Sequence, residues 1–100
     1  MSSLYRPETE IVRKRLLAAR HAAGLTQQAV AQAWGMPQET ISAIERGARR
    51  IDVVELMDLC KILGLDVVEL IGSVRDEVGT TQRGTTKPIQ REGKPRHRRA

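Results

Sequence analysis

The sequence predicts an all-α fold of five short helices followed by a flexible basic tail. Between residues 8 and 72, apolar side chains recur every three or four positions, which is the spacing of one helix face. Residues that cap helix N-termini, such as Thr26, Asp52 and Asp66, alternate with glycines that stop helices. The apolar pattern ends after Gly72, where glycine, threonine, proline and basic residues dominate.

Composition bounds the size and environment of this fold. The 100 residues are enough for one small domain, and with 2% aromatic residues its core must be aliphatic and thin. Small domains of this kind often gain stability by dimerising. The single cysteine, Cys60, excludes an intramolecular disulfide and fits a reducing compartment. We find no apolar run that could form a signal peptide or span a membrane, so we expect a cytoplasmic protein.

The first helix is predicted to begin between Pro7 and Glu10 and to end at Ala23. Glu8 and Glu10 are placed favourably against the helix dipole, and Gly24 suits a C-terminal cap. The side chains expected to face the core share helical spacing: Val12, Leu16, Ala19 and Ala23. The basic residues expected on the outer side are Arg13, Lys14 and Arg15.

Residues 26–47, TQQAVAQAWGMPQETISAIERG, predict two short helices joined by a sharp turn. The second helix is expected over Gln27–Trp34 and the third over Gln38–Arg46. Gly35 supplies the positive φ that such a turn needs. Ala31 is small where the two helices must approach each other closely. This combination is typical of a helix-turn-helix.

Two near-copies of one signal predict the last two helices. Asp52 and Asp66 each precede the residues Val-Val-Glu-Leu, so an aspartate cap stands three residues before a glutamate, as in a capping box. The fourth helix is expected over about Val53–Leu63 and the fifth over about Val67–Gly72.

Taken together, these residues resemble the DNA-binding core of the Xre family, which includes phage Cro and repressor-like regulators. The resemblance extends from about Val12 to Leu70, through GLTQQAVA, GMPQETISAIERG and LGLDVVEL. It implies a five-helix repressor-like DNA-binding domain and a sequence-specific transcriptional regulator, with repression as the expected action. It also implies that Arg20 pairs with Glu45 and ties the first helix to the third. The alternative is a loose surface pair.

The outer side of the third helix carries the candidate base contacts. With Ile41 facing inward, a rotation of about 100° per residue places Ser42 and Arg46 on the exposed stripe. Short or amide side chains on an exposed helix face suit the major groove of double-stranded DNA. The candidate base contacts are Gln38, Glu39, Thr40, Ser42 and Ala43.

Contacts to the DNA backbone are expected beside this stripe. The backbone amides around Gln27 and Gln28, at the start of the second helix, can hold a phosphate. The resemblance implies that Gln27 does so and also braces Gln38. The further candidates for backbone contacts are Arg46, Arg49 and Arg50. The two loop arginines, Arg49 and Arg50, are explained equally well as solvated charges.

The net charge of +5 lies entirely in the tail, which holds eight basic and three acidic side chains. The tail cannot bury enough surface to offset its ordering entropy, so we expect it to be flexible when free. It is either a solvated end or an arm that touches phosphates. The predicted segments are an N-terminal arm at residues 1–7, the helix-turn-helix domain at residues 8–72 and the tail at residues 73–100.

A homodimer is expected on DNA. The motif usually binds a pseudo-palindromic operator with recognition helices about 34–36 Å apart, and a two-fold dimer matches such a site. The apolar residues expected to form the dimer contact are Val67, Val68, Ile71 and Val74.

Two other functions fit the sequence. An antitoxin-type module would repress its own operon while its tail binds a toxin partner, although this tail has few apolar anchors. An interaction domain that no longer reads DNA would fail to bind it even at low salt. An enzyme is disfavoured, because the sequence contains no nucleophile–base pair, phosphate-binding loop or metal-ligand spacing. No cofactor or metal is expected.

Overall fold

The computed structural model describes residues 6–79 and residue 89. Over residues 6–79 the chain forms five α helices and no strand, which confirms the predicted all-α class. The helices are α1 Pro7–Ala22, α2 Gln27–Trp34, α3 Gln38–Glu45, α4 Val53–Leu63 and α5 Val67–Gly79. Most of the predicted arm and tail lie outside the described residues. The expected flexibility of the tail and its contact with a toxin therefore stay predictions.

The ends of α2 and α4 follow from the local chemistry of their flanking residues. Thr26 Oγ1 accepts a hydrogen bond from the backbone N–H of Ala29 at 3.0 Å, which satisfies one amide of the first turn of α2. Asp52 and Glu55 form a complete capping box at the start of α4. Gly35 ends α2 at a φ of 73°, a left-handed backbone conformation that residues with a Cβ rarely adopt. Helices α1 and α3 each end one residue before the predicted position.

The core lies where the five helices meet. α1 packs against α3, α4 and α5, and α2 packs against α3 and α4. The small side chain of Ala31 on α2 is buried. Each aliphatic side chain taken out of water contributes about 1.5–3 kcal/mol. The buried residues are Leu16, Val30, Ala31, Ile41, Ile44, Leu56, Leu59, Cys60, Leu70 and Val74.

Cys60 belongs to this core and forms no disulfide. Burial raises the pKa of its thiol, and the nearby carboxylate of Asp66 raises the pKa further. A thiol that stays protonated in an apolar site is a poor nucleophile and serves as a small packing residue.

The fifth helix is longer than predicted. α5 ends at Gly79, with Gly72 inside the helix. Leu70, Val74 and Val78 are spaced by four residues and continue the apolar face of α5 onto the core, where Val74 is only 4% exposed. The predicted end was wrong because a glycine inside a helical pattern does not stop a helix whose later residues pack on the core. The helix therefore crosses the predicted boundary between domain and tail.

Arg15 attaches this longer α5 to α1. Its Nη1 donates to Ser73 Oγ at 2.7 Å, and its Nη2 donates to Glu77 Oε1 at 2.6 Å. Both acceptors follow Gly72 in the chain, so these contacts depend on the last two turns of the helix.

None of the helices between residues 6 and 79 is both long enough and apolar enough to cross a membrane. In the same part of the chain, no cluster of three or more His, Cys, Asp or Glu side chains is arranged to hold a metal ion.

Candidate nucleic-acid interface

The outward face of α3 is the candidate reading surface. Ile41 and Ile44 are buried in the core, which sets the rotation of the helix about its axis. On the opposite face the side chains of Glu39 and Arg46 are 75% and 54% exposed. Gln38 is also exposed, whereas the remaining predicted base contacts are half-buried: Thr40, Ser42 and Ala43. The reading surface is therefore not packed against the protein's own core.

Three residues of the reading surface bond to one another. Arg46 Nη1 donates to Ser42 Oγ at 2.6 Å, and Arg46 Nη2 donates to Glu39 Oε2 at 3.2 Å. The arginine thereby offsets the negative charge of Glu39 on a surface predicted to meet DNA. Arg46, predicted as a contact to the DNA backbone, has two partners within α3 before any ligand binds.

Gln38, the first residue of α3, is held by Gln27 at the start of α2. Gln38 Nε2 donates to Gln27 Oε1 at 3.2 Å. Gln27 Nε2 in turn donates to Glu45 Oε1 at 2.8 Å. The side chain of Gln27 thus joins both ends of α3 and orients the amide of Gln38.

The start of α2 presents free backbone amides beside the reading surface. The cap Thr26 accepts from Ala29, whereas the backbone N–H groups of Gln27 and Gln28 have no acceptor within residues 6–79. Free amides and the positive end of a helix dipole both favour an anion. They lie next to Gln38, and this position suits a phosphate group.

Glu45, the last residue of α3, is bound by Arg20 of α1. Arg20 Nε lies 2.6 Å from Glu45 Oε2, and Nη2 lies 3.0 Å from Oε1, so the pair has two parallel hydrogen bonds. Both side chains are 11% exposed. Arg20 Nη1 also donates to the carbonyl of Leu25 at 2.8 Å. One arginine therefore joins α1, the loop before α2 and the end of α3.

Arg13 also connects α1 to α3, although the sequence pattern placed it on the outer side of α1. Its Nη1 donates to the backbone carbonyl of Glu45 at 2.6 Å, and its Nη2 pairs with Glu10. The bond satisfies a terminal carbonyl of α3 that has no partner within the helix. The hydrogen bond from Arg13 lowers the pKa of Glu10. The spacing of three residues between Glu10 and Arg13 was the available signal for this pair.

Comparison with known proteins identifies the family of this chain. The family model of the helix-turn-helix domain matches residues 13–70. The uncharacterised HTH-type transcriptional regulator y4dJ of Sinorhizobium fredii is 36% identical over 62 residues, which cover 62% of this chain and 80% of that protein. The XRE-family like protein from Pseudomonas syringae pv. tomato is 39% identical, with a TM-score of 0.64 over 66% of this chain and 80% of that one. The chain belongs to the Xre family of helix-turn-helix DNA-binding regulators.

A more distant structure shares the Xre-family fold over a greater part of the chain. A single-residue mutant of the restriction–modification controller protein C.Esp1396I is 23% identical, with a TM-score of 0.59 over 81% of this chain and 98% of that one. At this identity the likeness shows the fold alone.

In the loop between α3 and α4 of this Xre-family chain, Arg49 and Arg50 have different surroundings. Arg49 donates to both carboxylate oxygens of Glu55, at 3.1 and 3.0 Å. The hydrogen bond from Arg49 lowers the pKa of Glu55, with the backbone N–H of Asp52 as a second cause. The same contact raises the pKa of Arg49. The side chain of Arg50 is exposed and has no ion pair within residues 6–79, so Arg50 is the more available cation.

Within residues 6–79, the exposed large apolar side chains of this Xre-family chain lie on α4 and α5. Among the predicted dimer contacts, Val68 is 78% and Ile71 is 44% exposed, whereas Val67 is partly buried against the core. Val74 is buried in the core and has little surface left with which to contact a second protomer. The side chains of α4 that sequence reasoning missed as exposed are Val53, Val54 and Met57.

Proposed function

We propose that this Xre-family regulator reads double-stranded DNA by placing α3 in the major groove, and that it represses transcription at a pseudo-palindromic operator. The carrying observation is the exposed outer face of α3 together with the bond that holds Gln38 on Gln27. A helix fits the major groove, and a fixed amide there can recognise a base edge. Repression follows if the bound protein occupies a promoter. The proposed location is the cytoplasm, with association to the nucleoid when bound to DNA.

Each candidate base contact of α3 has a chemically defined preference. Gln38 can make two hydrogen bonds to an adenine edge, and Glu39 can accept from the amino group of cytosine. Ser42 bonds to several bases, while Thr40 and Ala43 offer methyl groups to thymine. One good base contact contributes about 1–3 kcal/mol of discrimination. We assign Gln38 the leading role, because its orientation is set by the protein.

Contacts to the phosphate backbone of DNA supply most of the affinity in this proposal. The free amides of Gln27 and Gln28 hold one phosphate beside Gln38. Arg50 contributes a charge without giving up a partner. Arg46 and Arg49 reach a phosphate only by exchanging their carboxylate partners for it.

The active form in this proposal is a homodimer whose contact combines α4 and α5. These two helices pack against each other, and both carry exposed apolar side chains. A two-fold dimer places two copies of α3 on the half-sites of a symmetric operator, about 34–36 Å apart. Val68 and Ile71 are the α5 residues that we assign to this contact, joined by the exposed apolar residues of α4.

Selection of bound sequences from a random pool of double-stranded DNA tests the function. We expect enrichment of a site with two-fold symmetry. In gel shifts on that site, Gln38→Ala should reduce discrimination against substitutions at one position per half-site by about fivefold or more. Gln32→Ala is the matched control, because Gln32 is an exposed glutamine near the far end of α2. It should bind like the wild type.

The result that contradicts the proposal is equally clear. A protein that binds no random-sequence DNA even at low salt is an interaction domain and not a DNA reader. Binding without any enriched sequence would leave a DNA-binding protein but remove the role of α3 in base recognition.

A further inference from the structure

Arg46 lies across the surface with which α3 is proposed to read bases. It follows the last helical residue, yet its guanidinium bonds to Ser42 and reaches back to Glu39. Seven residues of α helix correspond to about 10 Å along the axis. Two candidate base contacts and one candidate backbone contact are therefore engaged with each other in the free protein.

The contact between Glu39 and Arg46 is weak enough for DNA to displace it. Both side chains are mostly exposed, and a surface ion pair of this kind contributes little to stability. While the pair is intact, its net charge is zero, so it offers a phosphate little attraction. While it is broken without a new partner, Glu39 brings an unneutralised negative charge against DNA. The state of the pair therefore controls both groups together.

The bases of DNA differ in what they offer Glu39. In the major groove cytosine presents an amino donor, whereas guanine and thymine present acceptors that repel a carboxylate. Adenine combines its amino donor with an acceptor at N7. A cytosine is thus the base best able to take Glu39 away from Arg46.

We propose that Glu39 and Arg46 form a coupled specificity device, in which a cytosine that binds Glu39 releases Arg46 to a neighbouring phosphate. The inference rests on the proposed DNA reading by α3 and adds a regulation of that site. Opposite guanine or thymine, Glu39 keeps Arg46, so neither the base nor the phosphate is bound by this pair. Glu39 is then a specificity-determining residue, although it carries the wrong charge for simple DNA affinity.

This coupling has a signature in the salt dependence of binding. Each phosphate that a cation neutralises steepens the plot of log affinity against log salt by about 0.9. The wild type should therefore show a steeper plot on the selected site than on a site whose critical cytosine is replaced by thymine, by about 0.9 per half-site. Affinity should fall by about fivefold or more with that replacement.

Two single variants and their double variant separate the roles. Glu39→Gln removes the carboxylate partner of Arg46 on every site and leaves only the neutral Ser42 contact. It should therefore bind the thymine site more tightly than the wild type does and show the steep salt plot on both sites. Arg46→Gln should show the shallow plot on both sites. In the Glu39→Gln/Arg46→Gln double variant, the gain on the thymine site should disappear.

Asp76→Asn is the matched control for removal of one negative charge. Asp76 pairs with Arg75 on α5, and both side chains are mostly exposed. This variant should keep the difference in salt dependence between the two sites.

The outcomes distinguish the inference from the proposed function. A wild type that selects no sequence overturns both. A wild type that selects a symmetric site, but shows the same salt dependence whatever base replaces each cytosine, overturns the inference alone. So does an equal gain in affinity for Asp76→Asn and Glu39→Gln, because the effect would then be one of net charge.

Discussion

The guanidinium of Arg20 and the carboxylate of Glu45 form a bidentate ion pair between α1 and the end of α3. The carboxylate also accepts from Gln27, and the adjacent backbone carbonyl accepts from Arg13. These contacts come from α1 and α2 and converge on a single residue. The orientation of the reading surface is therefore maintained from outside α3 as well as by its two buried isoleucines.

Removing one partner of this pair should destabilise the protein strongly. For Arg20→Met we expect the free energy of unfolding to fall by about 3 kcal/mol or more, because the carboxylate of Glu45 stays largely buried without its cation. Urea unfolding followed by circular dichroism measures the change. Arg6→Met removes an exposed ion pair with Glu8 and is the control, with an expected change of less than about 1 kcal/mol. Equal decreases for the two variants would refute the structural role of Arg20.

The contact between Arg49 and Glu55 should make stability depend on pH. The folded-state pKa of Glu55 is lowered, so its stabilising contribution is present above the ordinary glutamate pKa and disappears as the pH falls through the folded-state value. Glu55→Gln should therefore be less stable than the wild type at neutral pH and equally stable in acid. Urea midpoints measured between pH 2 and pH 7 check this.

Glu69→Gln is the matched control for that pH series. Glu69 stands in the same Val-Val-Glu-Leu context at the start of α5 and has no arginine partner within residues 6–79. Its substitution should leave the shape of the stability curve unchanged. A gap between wild type and Glu55→Gln that widens toward acid would show that the sign of the effect is wrong.

The proposed dimer contact predicts that Ile71→Asp yields a monomer. A charge placed in an apolar contact must be desolvated on association, and this cost opposes dimerisation. Light scattering at several protein concentrations gives the mass. Arg75→Glu changes charge at an exposed position on the same helix and should leave the dimer intact. If Ile71→Asp dimerises at the same protein concentrations as the wild type, the dimer contact lies elsewhere.

The tail can be tested without damaging the domain only if the truncation begins at residue 80. Residues 80–100 hold seven basic and one acidic side chain. Their removal should lower affinity for all DNA sequences alike and flatten the salt dependence by about 0.9 for each phosphate that the tail neutralises. Reduced discrimination between sites with an unchanged salt dependence would contradict a purely electrostatic tail.

A truncation at residue 73 is the informative comparison. It also removes Val74 from the core and both α5 partners of Arg15. We expect it to cost about 2 kcal/mol or more of stability, as for other deletions of buried aliphatic groups. The two truncations together separate the effect of the tail on DNA from the effect of α5 on folding.

Local signals are enough to predict α2 and α4. Thr26, Gly35 and the pair Asp52–Glu55 act on amides and carbonyls a few residues away, so their meaning does not depend on the rest of the fold. The same reasoning fails at Gly72, because packing of Val74 and Val78 on the core outweighs the low helix propensity of one glycine.

Tertiary contacts decide what the sequence leaves undetermined. Arg13 is basic and its position predicts a solvent-facing side chain, but the end of α3 lies within reach and supplies an acceptor. Met57 is an apolar residue of α4, yet it is 53% exposed. In each case the pattern along one helix does not reveal which other helix covers it.

Trp34 is the single tryptophan of the chain, and the composition contains no phenylalanine and one tyrosine. Its indole Nε1–H donates to Asp58 Oδ2 at 3.1 Å, so the ring lies where α2 meets α4. The intrinsic fluorescence of this protein therefore comes mainly from one tryptophan at the contact between α2 and α4. A change in the emission maximum or intensity of Trp34 would report, without any attached dye, whether binding to an operator disturbs the contact between α2 and α4.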